Sequence, residues 1–212
     1  MKSNSYFKLS LLLIVLMFAI GFYFYPKMPE KMATHWNAKG VVDGYSSRTV
    51  GLFMIPIITP ILYALFHLIP KIDPLGRNIK KFEKYWNIFK LIFVLFMAYM
   101  YIVTLAANLG YAFNMNYIIM PAIAVLFYFC GILVENAKRN WFIGIRTPWT
   151  LSSDKVWKKT HKLGAKIFKI YAVVILFGLF FEHCLIWIIL TILPLSLYLL
   201  IYSYLEWRKI KK

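Results

Sequence analysis

Two polar stretches interrupt an otherwise apolar chain and hold nearly all of its chemically capable side chains. The first, PKMPEKMATHWNAKGVVDGYSSRT over residues 26–49, sets His35, Trp36 and Asn37 side by side: an imidazole, an indole and an amide suited to capturing a ligand. Asn37 and Gly40 mark one turn and Asp43-Gly44 another, so the loop is expected to fold into a cap. The plainer reading has Trp36 and Tyr45 anchoring at a membrane interface while His35 bonds to backbone. The second stretch, NWFIGIRTPWTLSSDKVWKKTHKLG from Asn140 to Gly164, is basic and rich in tryptophan. Within it the guanidinium of Arg146 suits a carboxylate, a phosphate or a helix C-terminus, with Glu135 or Asp154 as the internal partner if its role is structural. Trp141, Trp149 and Trp157 are available to lipid headgroups, and His161 is expected to face them too.

Other chemistry is missing. His35 with His183 and a carboxylate from Glu30, Asp43 or Glu182 would make a small metal site, but no local ligand spacing supports one, so no metal is expected. The chain has no Walker loop, HExxH, GxSxG or CxxC pair. With no paired carboxylates or activated nucleophile, we expect no catalytic residue, no cofactor and no enzymatic activity.

These stretches are held by elements of membrane-spanning length. Of 212 residues, 61% are hydrophobic and 16% charged, which is not the composition of a soluble domain. Six apolar runs predict helices over Phe7–Tyr25, Val50–Ile69, Asn87–Ala107, Tyr117–Val134, Ala165–Phe181 and Cys184–Tyr204. The first ends in bulky Phe-Tyr-Phe-Tyr-Pro without a small-residue cleavage site, which favours a retained helix over a signal peptide. Pro56 and Pro60 should kink the second. The expected fold is thus all-α, one integral membrane domain over 1–212, with two helices and the outer loop in 1–86 and four helices in 87–212.

Charge sets the orientation. With the N-terminus inside, 21 of the 25 Lys and Arg fall on the cytoplasmic side, leaving Lys27, Lys31, Lys39 and Arg48 outside. Both termini are therefore expected in the cytoplasm. The net charge of +17 is distributed between apolar runs rather than over one face, so membrane topology explains it better than direct nucleic-acid binding. Cys130 and Cys184 fall at opposite ends of their spans and are expected to be free thiols. No Asp, Glu, Lys or Arg sits at mid-span, which disfavours a coupled transporter or pump.

The connectors carry helix signals of their own. In PKIDPLGRNIKKFEKYW, Asp73-Pro74 and Gly76 make a turn, and Asn78 is placed to cap a short helix bearing Lys80, Lys81 and Lys84. Pro148 divides the Trp-rich stretch. Residues 144–147 are extended or turned before it, and Ser152 or Ser153 caps an amphipathic helix after it, with Asp154 in the first turn.

The strings THWN-x-x-G-x-x-DGYSS, LFMIPII and IPKIDP, together with NWFIGIRTPWTLSSDKVWKKTH, resemble the SdpI family of bacterial multipass membrane immunity proteins. The GIRTPWTLS…VWKKTH string is the specific part; the THWN loop marks a broader uncharacterised membrane domain. The resemblance implies protection of the cell against a secreted antimicrobial peptide toxin, and a receptor role in which a transcriptional repressor is held at the membrane. Mapped by topology, His35, Trp36, Asn37, Gly40, Asp43, Gly44 and Tyr45 would face the toxin. Arg146, Thr147, Trp149, Thr150, Trp157 and His161 would face a cytoplasmic partner or lipid. The rival reading is a small transporter or anionic-lipid-binding protein, with Arg146 and nearby lysines gripping a headgroup.

Overall fold

A computed structural model describes residues 3–181 and 184–211. Helix α1 (Ser3–Phe24) passes through a short 3-10 turn into a hairpin of β1 (Lys31–Trp36) and β2 (Val42–Ser47). Then follow α2 (Arg48–Ile72), α3 (Gly76–Lys80), α4 (Glu83–Asn108), α5 (Met115–Asn136), α6 (Pro148–Ser152), α7 (Asp154–Gly178) and α8 (Cys184–Lys211). The chain is a multipass protein of the cell membrane. Five segments are long and apolar enough to cross a bilayer: Asn4–Lys27, Arg48–Ile72, Glu83–Asn108, Met115–Asn136 and Ile188–Ile210. The expected fifth span, Ala165–Phe181, instead begins inside α7, whose first half carries Lys155, Lys158, Lys159, Lys162 and Lys166. α2 runs on as one assigned helix through Pro56, Pro60 and Pro70.

The all-α expectation needs one correction. The first loop forms a two-stranded antiparallel sheet, in which Lys31 pairs with Ser47 and Ala33 with Tyr45. Threonine, tryptophan and tyrosine suit a pleated surface, and Asn37 closes the turn: its Oδ1 accepts from Lys39 N at 2.9 Å and Val41 N at 3.2 Å, with Gly40 at φ +76°. The second expected turn, Asp43-Gly44, lies within β2 instead. There the register shifts and Gly44 stands opposite His35, so close that a Cβ on residue 44 would sit 2.8 Å from that of His35.

Three clusters pack the bundle. Ile14 and Met17 of α1, Met32 of β1, Leu52 of α2, and Val94 and Tyr101 of α4 form the first, which roots the hairpin between helices. Ile69, Ile79, Phe82, Trp86, Leu133, Ile143 and Trp157 form the second, around the basic loops. Met120 and Ala124 of α5 meet Tyr171, Ala172 and Ile175 of α7 in the third. Small residues permit close approach where lipid supplies no hydrophobic drive. A Cβ on Gly131 of α5 would lie 3.1 Å from the Ala165 carbonyl of α7.

Candidate functional site: two loop assemblies at opposite ends of the bundle

The hairpin and the Trp-rich loop lie at opposite ends of α4. Asn108 at its C-terminus grips the hairpin: Ala33 N donates to Asn108 Oδ1 at 2.7 Å, and Asn108 Nδ2 donates to Ala33 O at 3.0 Å. Asn116 Nδ2 adds a bond of 2.8 Å to Ala38 O. At the other end, the turn leading into α4 holds the Trp-rich loop through the buried carboxylate of Asp73. Its Oδ1 accepts from Leu75 N at 2.6 Å and its Oδ2 from Trp141 N at 2.9 Å. A 26-residue helix rises about 39 Å, so the full thickness of a bilayer core separates the two assemblies.

On the hairpin, His35 does not bond to backbone. Its Nδ1 lies 2.5 Å from Asp43 Oδ1, and this pair stands in the open, with side chains 71% and 42% exposed. Tyr45 is exposed and Trp36 half-buried, while Asn37 and Gly40 are committed to the turn. The exposed face therefore offers an imidazole, a carboxylate and a phenol. Among the described residues no three His, Cys, Asp or Glu side chains gather as metal ligands. Glu182, His183 and the side chain of Cys184 lie outside the described residues, and Cys130 is a free thiol.

The Trp-rich loop is built from inside outwards. Asn140, fully buried, accepts from Phe142 N at 2.9 Å and Ile143 N at 2.6 Å, and donates to Lys138 O at 2.8 Å and Ile143 O at 2.9 Å. One amide side chain thus satisfies four backbone groups of a buried turn. His161 does not face headgroups. It is 2% exposed, stacked on Trp157 with ring centres 3.9 Å apart, and its Nε2 accepts from Ile145 N at 3.1 Å while Nδ1 donates to Trp157 O at 2.9 Å. Burial pushes its pKa down to about 4, so it is a neutral structural group. Gly144, at φ +117°, sits where a Cβ would come 2.3 Å from His161 Nε2. Trp157 in turn donates from Nε1 to Ala137 O at 2.8 Å and is buried, not interfacial.

Thr147 and Thr150 form a capping box at the start of α6, with Thr150 N donating to Thr147 Oγ1 at 3.1 Å and Thr147 N to Thr150 Oγ1 at 2.8 Å. Thr147 Oγ1 also meets Ser203 Oγ of α8 at 3.0 Å. Ser153 caps α7 as its position suggests, accepting from Val156 N. Asn78 caps nothing: it lies inside α3 and its Nδ2 donates to Arg139 O at 2.8 Å.

Arg146 takes neither expected carboxylate. Asp154 pairs with Arg139 at 2.9 Å and Glu135 with Lys169 at 2.5 Å. The Arg146 guanidinium is exposed and donates from Nη1 to Trp141 O at 2.7 Å, which leaves most of its donors to solvent. It borders an open concavity of about 500 Å³ lined also by Trp141, Pro148, Leu151 and Ser152. Trp149 packs against Tyr204 of α8, with ring centres 5.1 Å apart. Of the residues named from the sequence, His161, Trp157, Thr147 and Thr150 are thus the scaffold, and Arg146 is what the scaffold presents. The burial of Asn140 and of the turn residue Asp73 escaped sequence reasoning, because an asparagine or aspartate in a turn-rich segment gives no sign that it will be buried.

Residues 136–203, the stretch holding this loop, match the SdpI/YfhL protein family. Over that stretch the chain is similar to this family. Residues 12–59, which include the hairpin, match a domain of unknown function, DUF1648. Across 195 residues the chain is 26% identical to "Immunity protein SdpI" of Bacillus subtilis (strain 168), covering 92% of this chain and 90% of that protein. No solved structure matches.

Proposed function

We propose that this chain is a membrane immunity protein that protects its cell against a secreted antimicrobial peptide toxin and catalyses no reaction. The observation that carries this reading is the similarity to the Bacillus subtilis immunity protein over nearly the whole of both chains. In it the C-terminal half of α7, from Ala165, is a sixth span beside α5 and α8, and both termini are cytoplasmic, following the lysine and arginine bias. The hairpin then faces outward. It meets the toxin through His35, Asp43, Tyr45 and the edge of Trp36, with Asn37, Gly40 and Gly44 setting its shape. The Arg146 concavity faces the cytoplasm, where a guanidinium beside Trp141 suits an acidic segment of a repressor held at the membrane.

Expression in a strain sensitive to a membrane-active peptide of this class tests the proposal. Survival under toxin should rise with the wild-type chain and fall back when His35 and Asp43 are both replaced by alanine. No protection by the wild type at verified membrane levels sinks the reading. A second reading, capture of anionic lipid by Arg146, is favoured by the exposure of its guanidinium at the rim of an open concavity. It predicts loss of lipid binding, with protection intact, in Arg146→Ala.

A further inference from the structure

The two edges of the hairpin are not alike. Ala33 pairs with Tyr45 in the regular part of the ladder, yet Ala33 N and Ala33 O both turn away from β2 and bond to the Asn108 side chain. Where one residue of an antiparallel pair points its N–H and C=O outward, its partner does the same on the opposite side. Tyr45 therefore directs both backbone groups off the free edge of β2, and alternation sends the Ser47 N–H the same way. Ser46 and Arg48 look inward: Ser46 pairs with Met32, and Arg48 N donates to Glu30 O at 2.8 Å.

The edge of β1 is thus closed by α4, and that of β2 is open. Among the described residues, nothing bonds to the outward N–H and C=O of Tyr45 or to the N–H of Ser47. Asp43, Tyr45 and Ser47 are exposed, while the residues between them are half-buried. Open edges are usually blunted by lysine or proline, and β2 contains neither. A row of unpaired backbone groups on an extended strand is best satisfied by the main chain of another strand. The side chains beside the row narrow the choice. The register passes over Asp43, leaving it without a partner in β1, and its Oδ1 meets His35 Nδ1, so Oδ2 is left to a cation.

We infer that the free edge of β2 is a docking site for an extended peptide segment, which adds as a third strand by pairing its main chain with Tyr45 and Ser47 and sets a basic side chain against Asp43. The inference rests on the immunity reading, in which the hairpin faces outward and its peptide is secreted. It states how that peptide is held: through backbone, with little demand on peptide sequence beyond the one cation.

The test uses the full-length protein in detergent and a capped synthetic peptide of alternating threonine and valine with one central lysine. In hydrogen exchange, the amides of Tyr45 and Ser47 should be fast in the free protein and slowed about tenfold by the peptide. A twin of the peptide methylated at every backbone nitrogen should give no protection. Tyr45→Pro removes an outward N–H and no ladder bond, so it should weaken peptide binding about tenfold, whereas Tyr45→Thr keeps the N–H and should stay within about threefold of wild type. Survival under toxin should follow the same order, lost in Tyr45→Pro and kept in Tyr45→Thr. Should Tyr45→Pro unfold, seen as lost protection of the Met32 and Ser46 amides, the comparison of peptide with methylated twin on the wild type decides. Equal effects of peptide and twin, no slowing of the edge amides, or a folded Tyr45→Pro that binds or protects like wild type overturns the inference and leaves the immunity reading standing. Edge amides already slow without peptide, in a dimer that Tyr45→Pro dissolves, would make the occupant a second copy of the chain and overturn it as well. A wild type that gives no protection removes the immunity reading and this inference with it.

Discussion

At the scale of single residues, the Trp-rich loop separates groups that hold from a group that is held out. His161 belongs to the first kind, and its burial gives it a pH signature. Its pKa is about 4 in the folded protein against 6.5 for the free side chain, so the unfolded chain takes up the proton more readily. The stability from keeping it neutral is complete above pH 6.5 and is lost progressively as pH falls towards 4, with a full span of about 3 kcal/mol. Melting temperature in detergent should therefore drop across pH 6.5 to 5, and His161→Phe should flatten that slope while lowering the plateau. An equal slope in both proteins would remove His161 as its source. Arg146 differs in kind: its truncation exposes no buried partner, so Arg146→Ala should change stability by less than about 0.5 kcal/mol.

At the scale of elements, the hairpin is a small sheet that could not stand alone, since two strands without a covering layer are marginal in water. Met32 packs it into the first core cluster, Ala33 is buried beside it, and the two bonds between Asn108 and Ala33 fix its attachment to the end of α4. Asn108→Ala should cost about 1–3 kcal/mol locally by orphaning the Ala33 amide and carbonyl. The expected readout is faster hydrogen exchange confined to residues 31–47, with the helices unaffected. Uniform acceleration across α1, α2 and α4 would instead mean that the hairpin and bundle unfold as one unit. The same logic explains why Asp43-Gly44 reads as a turn yet forms part of a strand. Dipeptide chemistry marks a place where the chain can bend, and here the glycine serves the close approach of His35 across the pair.

At the scale of the whole molecule, charge asymmetry predicts orientation and geometry predicts separation. Single cysteines placed at Lys39 and at Arg208, after removal of Cys130 and Cys184, should label differently with an impermeant maleimide: the first in intact cells, the second only after permeabilisation. Labelling of both in intact cells would put hairpin and C-terminus on one side, remove the sixth span from α7, and leave its basic first half and apolar second half on the same surface.

Apolar runs of spanning length and the lysine and arginine between them were legible because bilayer insertion depends on composition summed over about 20 residues, a quantity that survives without knowledge of neighbours. The helix starts at Thr147 and Ser153 lie within a few residues of the Pro148 break and the Ser152 or Ser153 cap for a related reason: caps and proline act within one turn. The partners of Arg146, the interior position of His161, the sealing of the buried turn by Asn140, and the pairing of His67 with Lys90 were decided only in three dimensions. Arg146 and Asn140 bond within their own loop and His67 meets Lys90 across two helices, but in every case whether the polar side chain is buried and bonded or exposed and available depends on how the folded chain packs around it rather than on residue type.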